Sequence, residues 1–283
     1  MILVTGATGT VGSEAVRLLA AQHHPTRALV RDPSRVPHSA AGSGMEIVTG
    51  DFDRPDTLDA AMRDIDTVLL ISPAVPAQEI AVIDSAARQG AKHIVKITNH
   101  KASADSPVGR RRGHARVEAH LKSTGLGYTL LAPNLYLQNL LTFAPSIKQT
   151  RGFTMSAGDG QAGMVDARDV AAVAAAIAAT ATDHAGRTYL VTGPELITYT
   201  DVAKELGDAL GHAVEYRRIS PDEHRQAMIR AGLPETVAAS NAQVFGLIAE
   251  GDAAWLSSDV ASITGASPRS LRTFIADHLT AFA

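Results

Sequence analysis

Three groups of residues have types and spacings suited to chemistry. The first is Gly6, Gly9 and Gly12 in Thr5-Gly6-Ala7-Thr8-Gly9-Thr10-Val11-Gly12. Glycines so spaced, after an apolar run and before a helical pattern, form a turn that a pyrophosphate can approach. Gly6 permits the tight turn, Gly9 leaves room for the phosphates, and Gly12 lets the helix pack close to the strand. Unpaired N–H groups of the first helical turn and the helix dipole attract the anion, and Thr8, Thr10 and Val11 belong to this cradle. The second group is Arg31, Ser34 and Arg35 beside Asp32. Guanidinium forks suit a ribose 2′-phosphate, whereas an acid here suits a free 2′-hydroxyl. NADPH is therefore the expected cofactor, and Asp32 keeps NADH open. The third group is His114 and Glu118, four apart on one helical face. Either His114 relays a proton or positions Glu118 near the reacting end of the cofactor, or the pair is a structural helix-face hydrogen bond.

Other chemistries are excluded or disfavoured. The chain has no cysteine, so it has no disulfide, thiolate nucleophile or Cys-type zinc site. His120, the natural third ligand beside His114 and Glu118, falls well around the helix from His114, and no metal is expected. None of the five tyrosines, Tyr128, Tyr136, Tyr189, Tyr199 and Tyr216, has a lysine four residues later. The Tyr-x-x-x-Lys pair that moves a proton to or from an alcohol oxygen is missing.

These residues need a scaffold. Strand-like runs rich in Val, Ile and Leu occupy Met1–Thr5, Arg27–Val30, Glu46–Thr49, Thr67–Ile71, His93–Ile97 and Gly127–Leu131. Helical patterns lie between them at Thr10–Ala21, Asp56–Arg63, Ala77–Gln89 and Arg112–Ser123. Continuous apolar strands alternating with helices predict a doubly wound parallel Rossmann sheet of the α/β class. After Pro133 the rhythm changes. A helix is expected over Asn134–Gln149, a short strand within Gly152–Gly163, a helix over Asp169–Ala181 and a strand over Arg187–Thr192. From Tyr199 the pattern is helical, broken by Val214–Ile219. The expected division is a Rossmann domain of residues 1–133 and 158–192, and a smaller C-terminal α+β cap of residues 134–157 and 193–283, which would bind the substrate. Pro37–Gly44 reads as a surface loop.

In open α/β sheets, ligands bind beyond the carboxyl ends of the strands. Asp51 and Phe52 follow the third strand, where they would meet the adenine, although Asp51 is equally suited to a turn. Ile71, Ser72 and Pro73 follow the fourth strand, Thr98 and Asn99 the fifth, and Pro133 ends the sixth. Asn134 and Tyr136 would border the reacting end of the cofactor, with Phe143 as an apolar wall.

Composition narrows the partners. The chain has 283 residues, a formal net charge of −3 and a charged fraction of 19%, so a nucleic-acid surface is not expected. Arg110, Arg111, Arg112 and Arg116 form the one basic cluster, without interleaved aromatics, and read as a solvated helix start. No apolar run is long enough to cross a bilayer, and the first strand begins at once, leaving no room for a leader. A small-molecule substrate, no membrane and a cytoplasmic location are the expectations. The assembly state is left open, a homodimer included.

Taken together, the motifs resemble the NmrA-like group of atypical short-chain dehydrogenases, and within it the bacterial type-2 NAD(P)H:quinone oxidoreductases. The resemblance rests on Thr5–Gly12, Val30-Arg31-Asp32-Pro33, Leu70-Ile71-Ser72, Ser106-Pro107-Val108-Gly109 and His114-Ala115-Arg116-Val117-Glu118. It continues in Pro133-Asn134-Leu135-Tyr136-Leu137-Gln138-Asn139 and Asp166-Ala167-Arg168-Asp169-Val170-Ala171. It implies an extended Rossmann domain, a small C-terminal cap and NADPH more often than NADH; the expected reaction is flavin-free hydride transfer to a quinone or similar flat electrophile. The chain departs from many members of the group at Ala132, where they carry Arg, and the missing Tyr/Lys pair argues against carbonyl/alcohol chemistry. Two rival functions remain: a redox sensor that binds NAD(P), and a reductase of a biosynthetic intermediate.

Overall fold

A computed structural model describes residues 1–36 and 45–283. The loop expected at Pro37–Gly44 lies outside the described residues. The first of two compact units comprises Met1–Pro133, Ala167–Val191 and Asp259–Ala266. Its seven strands are β1 (Ile2–Val4), β2 (Thr26–Val30), β3 (Glu46–Thr49), β4 (Thr67–Leu70), β5 (His93–Ile97), β6 (Gly127–Pro133) and β8 (Thr188–Val191). They form one sheet in the order β3-β2-β1-β4-β5-β6-β8. Every pairing is parallel, as in Ile2 opposite both Thr26 and Thr67. Strand order turns back between β1 and β4, the switch point at which such sheets bind ligands.

Local chemistry explains these elements. β1, β2 and β4 are buried throughout and, apart from Thr26, Arg27 and Thr67, consist of Val, Ile, Leu and Ala. Leu3, Leu29, Leu58, Val82, Ile83, Ile94, Val117 and Leu121 join sheet and helices in a shared core. Proline stands in the first turn of Pro55–Ala61 and Pro76–Arg88, where its missing N–H costs nothing. β4 stops at Leu70 rather than Ile71 because Ile71 gives its N–H to the Thr5 hydroxyl, at 2.9 Å, instead of extending the strand ladder. The helix after β5 begins at Gly109, a turn earlier than expected, so Arg110 and Arg111 are helical.

The second unit comprises Asn134–Asp166, Thr192–Ser258 and Ser267–Ala283. Its two-stranded sheet pairs β7 (Gly152–Met155) with β9 (Glu215–Arg218) in parallel. Helices Tyr199–Leu210 and Pro221–Arg230 both open with a reciprocal capping box, Thr198 with Asp201 and Ser220 with Glu223. Phe153 stacks on Phe143 at 4.6 Å between ring centroids and on Tyr216 at 5.5 Å. The core around them includes Tyr199, Phe274 and Phe282.

Besides Thr192, which groups with the second unit, two stretches differ from the sequence expectation. Residues 158–166 group with the second unit, where Val165 pairs with Leu135 and Leu137 through N–H···O bonds of 2.8 and 2.9 Å. Residues 259–266 group with the first unit, because the Asp259 carboxylate accepts the Leu190 N–H of β8 at 2.7 Å. The helix expected over Asn134–Gln149 is also corrected. Leu135 and Tyr136 are extended against Val165, a 3-10 stretch runs Leu137–Phe143, and the α-helix is only Ala144–Thr150, with Pro145 in its first turn.

Candidate active site

The glycine cradle sits at the switch point. Gly6 has φ +59°, in the left-handed region, and a Cβ there would lie 2.7 Å from the Ile71 carbonyl oxygen. A Cβ on Gly12 would lie 2.1 Å from the Gly6 oxygen. Gly6 and Gly12 are thus required by the turn itself. A Cβ on Gly9 would find only the Gly6 oxygen, at 3.3 Å, and Thr8, Gly9 and Thr10 are exposed. Gly9 therefore faces the side from which a ligand would come. Thr5 braces the turn across the sheet, donating to the Ile71 carbonyl at 2.7 Å. Helix Thr10–Ala21 carries no capping side chain and no acid in its first turn. Its first N–H groups and the positive end of its dipole remain available to an anion, and the residues fit a dinucleotide pyrophosphate.

At the end of β2, Arg31 is exposed and makes no hydrogen bond or ion pair among the described residues. Asp32 is committed to its own turn. Its Oδ1 accepts the Ser34 N–H at 3.0 Å and hydroxyl at 2.7 Å. Those bonds, with smaller help from Arg35, hold its carboxyl below the usual range. Arg35 ends the same turn, exposed. The Asp51 carboxylate also closes a turn, accepting the Asp53 N–H at 3.1 Å, while Phe52 packs half-buried on the core.

Beyond β4, β5 and β6 the expected residues have definite partners. Ser72 donates to Glu79 Oε1 at 2.7 Å and accepts the Ala74 N–H at 2.9 Å, fixing the turn through Pro73 to Ala74, whose φ is +61°. The buried Thr98 donates its hydroxyl to Glu118, and Asn99 Oδ1 accepts the Lys101 N–H at 3.1 Å. Pro133 closes β6 opposite Val191. Glu118 is therefore not the partner of His114, and the ring of His120 meets Asp84 instead, at 2.6 Å.

The partner of His114 is Lys96, a residue that reading the sequence for motifs does not single out. Its Nζ lies 3.3 Å from His114 Nδ1, 3.1 Å from Glu79 Oε1 and 2.8 Å from the Ile97 carbonyl oxygen. Lys96 is fully buried on β5, one residue before its carboxyl end, and Glu79 is nearly so. Both had a signal in the sequence. Lys96 interrupts the apolar strand His93–Ile97, and Glu79 shares a helical face with Val82, Ile83 and Ala86. Burial pulls the Lys96 ammonium below its ordinary range against the opposing pull of Glu79. Burial, then the charges of Lys96 and Arg110, push His114 down to about 3.

In the second unit, Asn134 is a bracket. Its Nδ2 donates to the Ala253 carbonyl at 3.0 Å, and its Oδ1 accepts the Leu135 N–H at 2.8 Å. Both ends of the amide are used in holding the chain. Tyr136 differs: its hydroxyl has no partner among the described residues, and burial of the ring holds the phenol above its ordinary range. No cluster of three metal-ligating side chains occurs among the described residues, nor any helix long and apolar enough to cross a membrane.

Fold and cradle define a dinucleotide-binding protein of the Rossmann class. The NmrA-like family model matches residues 1–266, and the chain belongs to that family. It is 36% identical to an NAD(P)H azoreductase of Xenophilus azovorans, over 100% of this chain and 99% of the relative. It is 35% identical, over 100% and 99%, to a (4-alkanoyl-5-oxo-2,5-dihydrofuran-3-yl)methyl phosphate reductase of Streptomyces griseus. The fold is similar to that of an NADPH-dependent quinone oxidoreductase of Escherichia coli in complex with NADPH, with a TM-score of 0.90 and 29% identity over 99% of this chain and 100% of that one.

Proposed function

We propose that this chain is an NAD(P)H-dependent reductase that delivers hydride directly to a flat, conjugated acceptor, a quinone above all, without flavin. When bound, the dihydronicotinamide supplies the hydride and the solvent supplies the proton. The cradle Gly6–Gly12 would hold the pyrophosphate, and Arg31, whose guanidinium is unengaged among the described residues while Asp32 is tied to Ser34, would favour a 2′-phosphate. The related enzymes act on an azo compound, a quinone and an alkanoyl oxo-dihydrofuran. All three present an electron-poor conjugated π bond.

The acceptor class is carried by one observation, the state of His114. Proton relay is one of the roles the sequence left open for His114, and its surroundings hold it down to about 3. It stays neutral at working pH and cannot serve as an imidazolium acid. Reducing a simple ketone makes an alkoxide that needs such an acid. Hydride addition to a quinone makes a phenolate-type anion, whose parent pKa is about 10, and water can protonate it. The site then has chiefly to stack the acceptor with the reacting atoms about 3–3.5 Å apart.

The test is NADPH oxidation by the colourless protein with a benzoquinone or naphthoquinone and no added flavin. The expected result is clear acceleration with quinones and near-background rates with simple ketones. If NADPH binds but no quinone accelerates its oxidation above the uncatalysed rate, the sensor function replaces this one.

A further inference from the structure

The Lys96 network has a balance of donors and acceptors that assigns a protonation state. An ammonium has three N–H donors and no acceptor. Lys96 has three neighbours within reach: Glu79 Oε1, the Ile97 carbonyl oxygen and His114 Nδ1. The first two can only accept, and if Nδ1 accepts as well, every donor is satisfied. An accepting Nδ1 leaves the proton of the neutral ring on Nε2. No side-chain nitrogen or oxygen buried among the described residues lacks a partner, and among those residues His114 has no hydrogen bond other than that to Lys96. Nε2 is therefore the nitrogen that reaches the molecular surface. It does so from helix Gly109–Ser123, beside the carboxyl end of β5.

We infer that Lys96 is a positioning residue. By donating to Nδ1 it holds His114 in the Nε2–H form, so that the ring offers a permanent hydrogen-bond donor to an oxygen of a ligand bound at this strand edge. Two ligands present such an oxygen: the nucleotide, through a ribose hydroxyl or its carboxamide, and the acceptor, through a carbonyl. A neutral donor does not titrate across the working range, so its strength is the same in acid and in base. The charges around the ring are the Lys96 ammonium from β5, Glu79 behind it from helix Pro76–Arg88, and Arg110 and Glu118 one turn away on the ring's own helix. Glu79 also holds Ser72, so the same pair fixes the turn after β4.

The first measurement needs no substrate. Histidine-labelled protein is titrated by 15N NMR from pH 5 to 8, with the His114 resonances identified by their loss in His114→Gln. The expected spectrum shows an unprotonated Nδ1 and a protonated Nε2, unchanged across the range. Titration of that ring between pH 5 and 8, or a proton on Nδ1, overturns the proposal. In Lys96→Met/Glu79→Gln, where the pair is replaced by neutral side chains, His114 is expected to mix tautomers and its pKa to rise toward 6.5.

The kinetic arm rests on the reductase reading. His114→Leu removes the donor and is expected to cost roughly five- to tenfold, while His114→Gln, which keeps an acceptor for Lys96 and an outward N–H, recovers part of it. Weaker NADPH binding identifies the nucleotide oxygen as the target. A fall in kcat with NADPH binding unchanged identifies the acceptor oxygen. If neither moves in His114→Leu, the donor role is wrong. If the NMR result holds but no acceptor is reduced, the reductase reading fails and the tautomer assignment stands.

Discussion

The glycine cradle and the Lys96 network stand at strand ends of the same parallel sheet and are built on opposite plans. The cradle works through what it lacks. It has no Cβ at Gly6 or Gly12, no capping side chain and no acid in the first turn, and its donors stay open to an anion. The Lys96 network works through side chains that satisfy one another in the interior, with Ser72, Glu79, Lys96 and His114 drawn from two strand ends and two helices. An exposed backbone site is lost through steric intrusion. A buried charged site is lost through imbalance, because a charge without its partner cannot recover its hydration.

This contrast can be broken most sharply at Lys96. Lys96→Met strands the Glu79 carboxylate in the interior and is expected to cost about 3–5 kcal/mol of stability. Lys96→Met/Glu79→Gln should cost clearly less, since no unpaired charge remains. Urea denaturation of both variants checks this. Equal losses would mean that packing, not charge balance, holds the network together.

A smaller effect on folding is expected in the cradle. Gly12→Ala places a Cβ 2.1 Å from the Gly6 oxygen, so backbone must move, at a cost of about 1–3 kcal/mol and with loss of NADPH binding. Gly9→Ala, whose new Cβ has 3.3 Å to its nearest neighbour, should fold nearly as the parent does and still bind NADPH more weakly. Fluorescence titration with thermal melts separates the two. Unchanged NADPH affinity in Gly9→Ala would show that the phosphates do not pass over this turn.

The smallest expected change is one of selectivity. Arg31→Ala should remove a preference for NADPH over NADH of about tenfold, close to 1.4 kcal/mol, partly screened by salt at this exposed strand end. Calorimetry with both reduced nucleotides measures it. Equal affinities in the parent protein would assign Arg31 to solvent and reopen NADH as the natural cofactor.

Much of the first unit was legible because its signals are local. A strand buried on both faces must be apolar along its length, and a turn with φ +59° facing a carbonyl must be glycine. Ile2–Val4, the Gly6–Gly12 turn and the helix that follows therefore announce themselves within a short stretch of sequence. The missing Tyr-x-x-x-Lys pair is likewise a plain property of the chain. Local patterning failed at Asn134–Gln149, where helical residues are held extended because Leu135 and Leu137 pair with Val165. At Asn134, expected to border the reacting end of the cofactor, the sequence did not show that the amide also holds Ala253 and Leu135.

What the tertiary structure alone decided is which polar groups meet. His114 and Glu118 are neighbours by helical spacing, and yet one turns to Lys96 and the other to Thr98. Ser72, Glu79, Lys96 and His114 are scattered along the chain, and no periodicity connects them. Their meeting depends on β4 lying beside β5 and on two helices packing against that pair of strands. The amino-acid types state that a lysine in a buried strand must find partners, because an unpaired buried ammonium is too costly. The packing of the strands and helices determines which partners it finds, and through them on which nitrogen of His114 the proton sits.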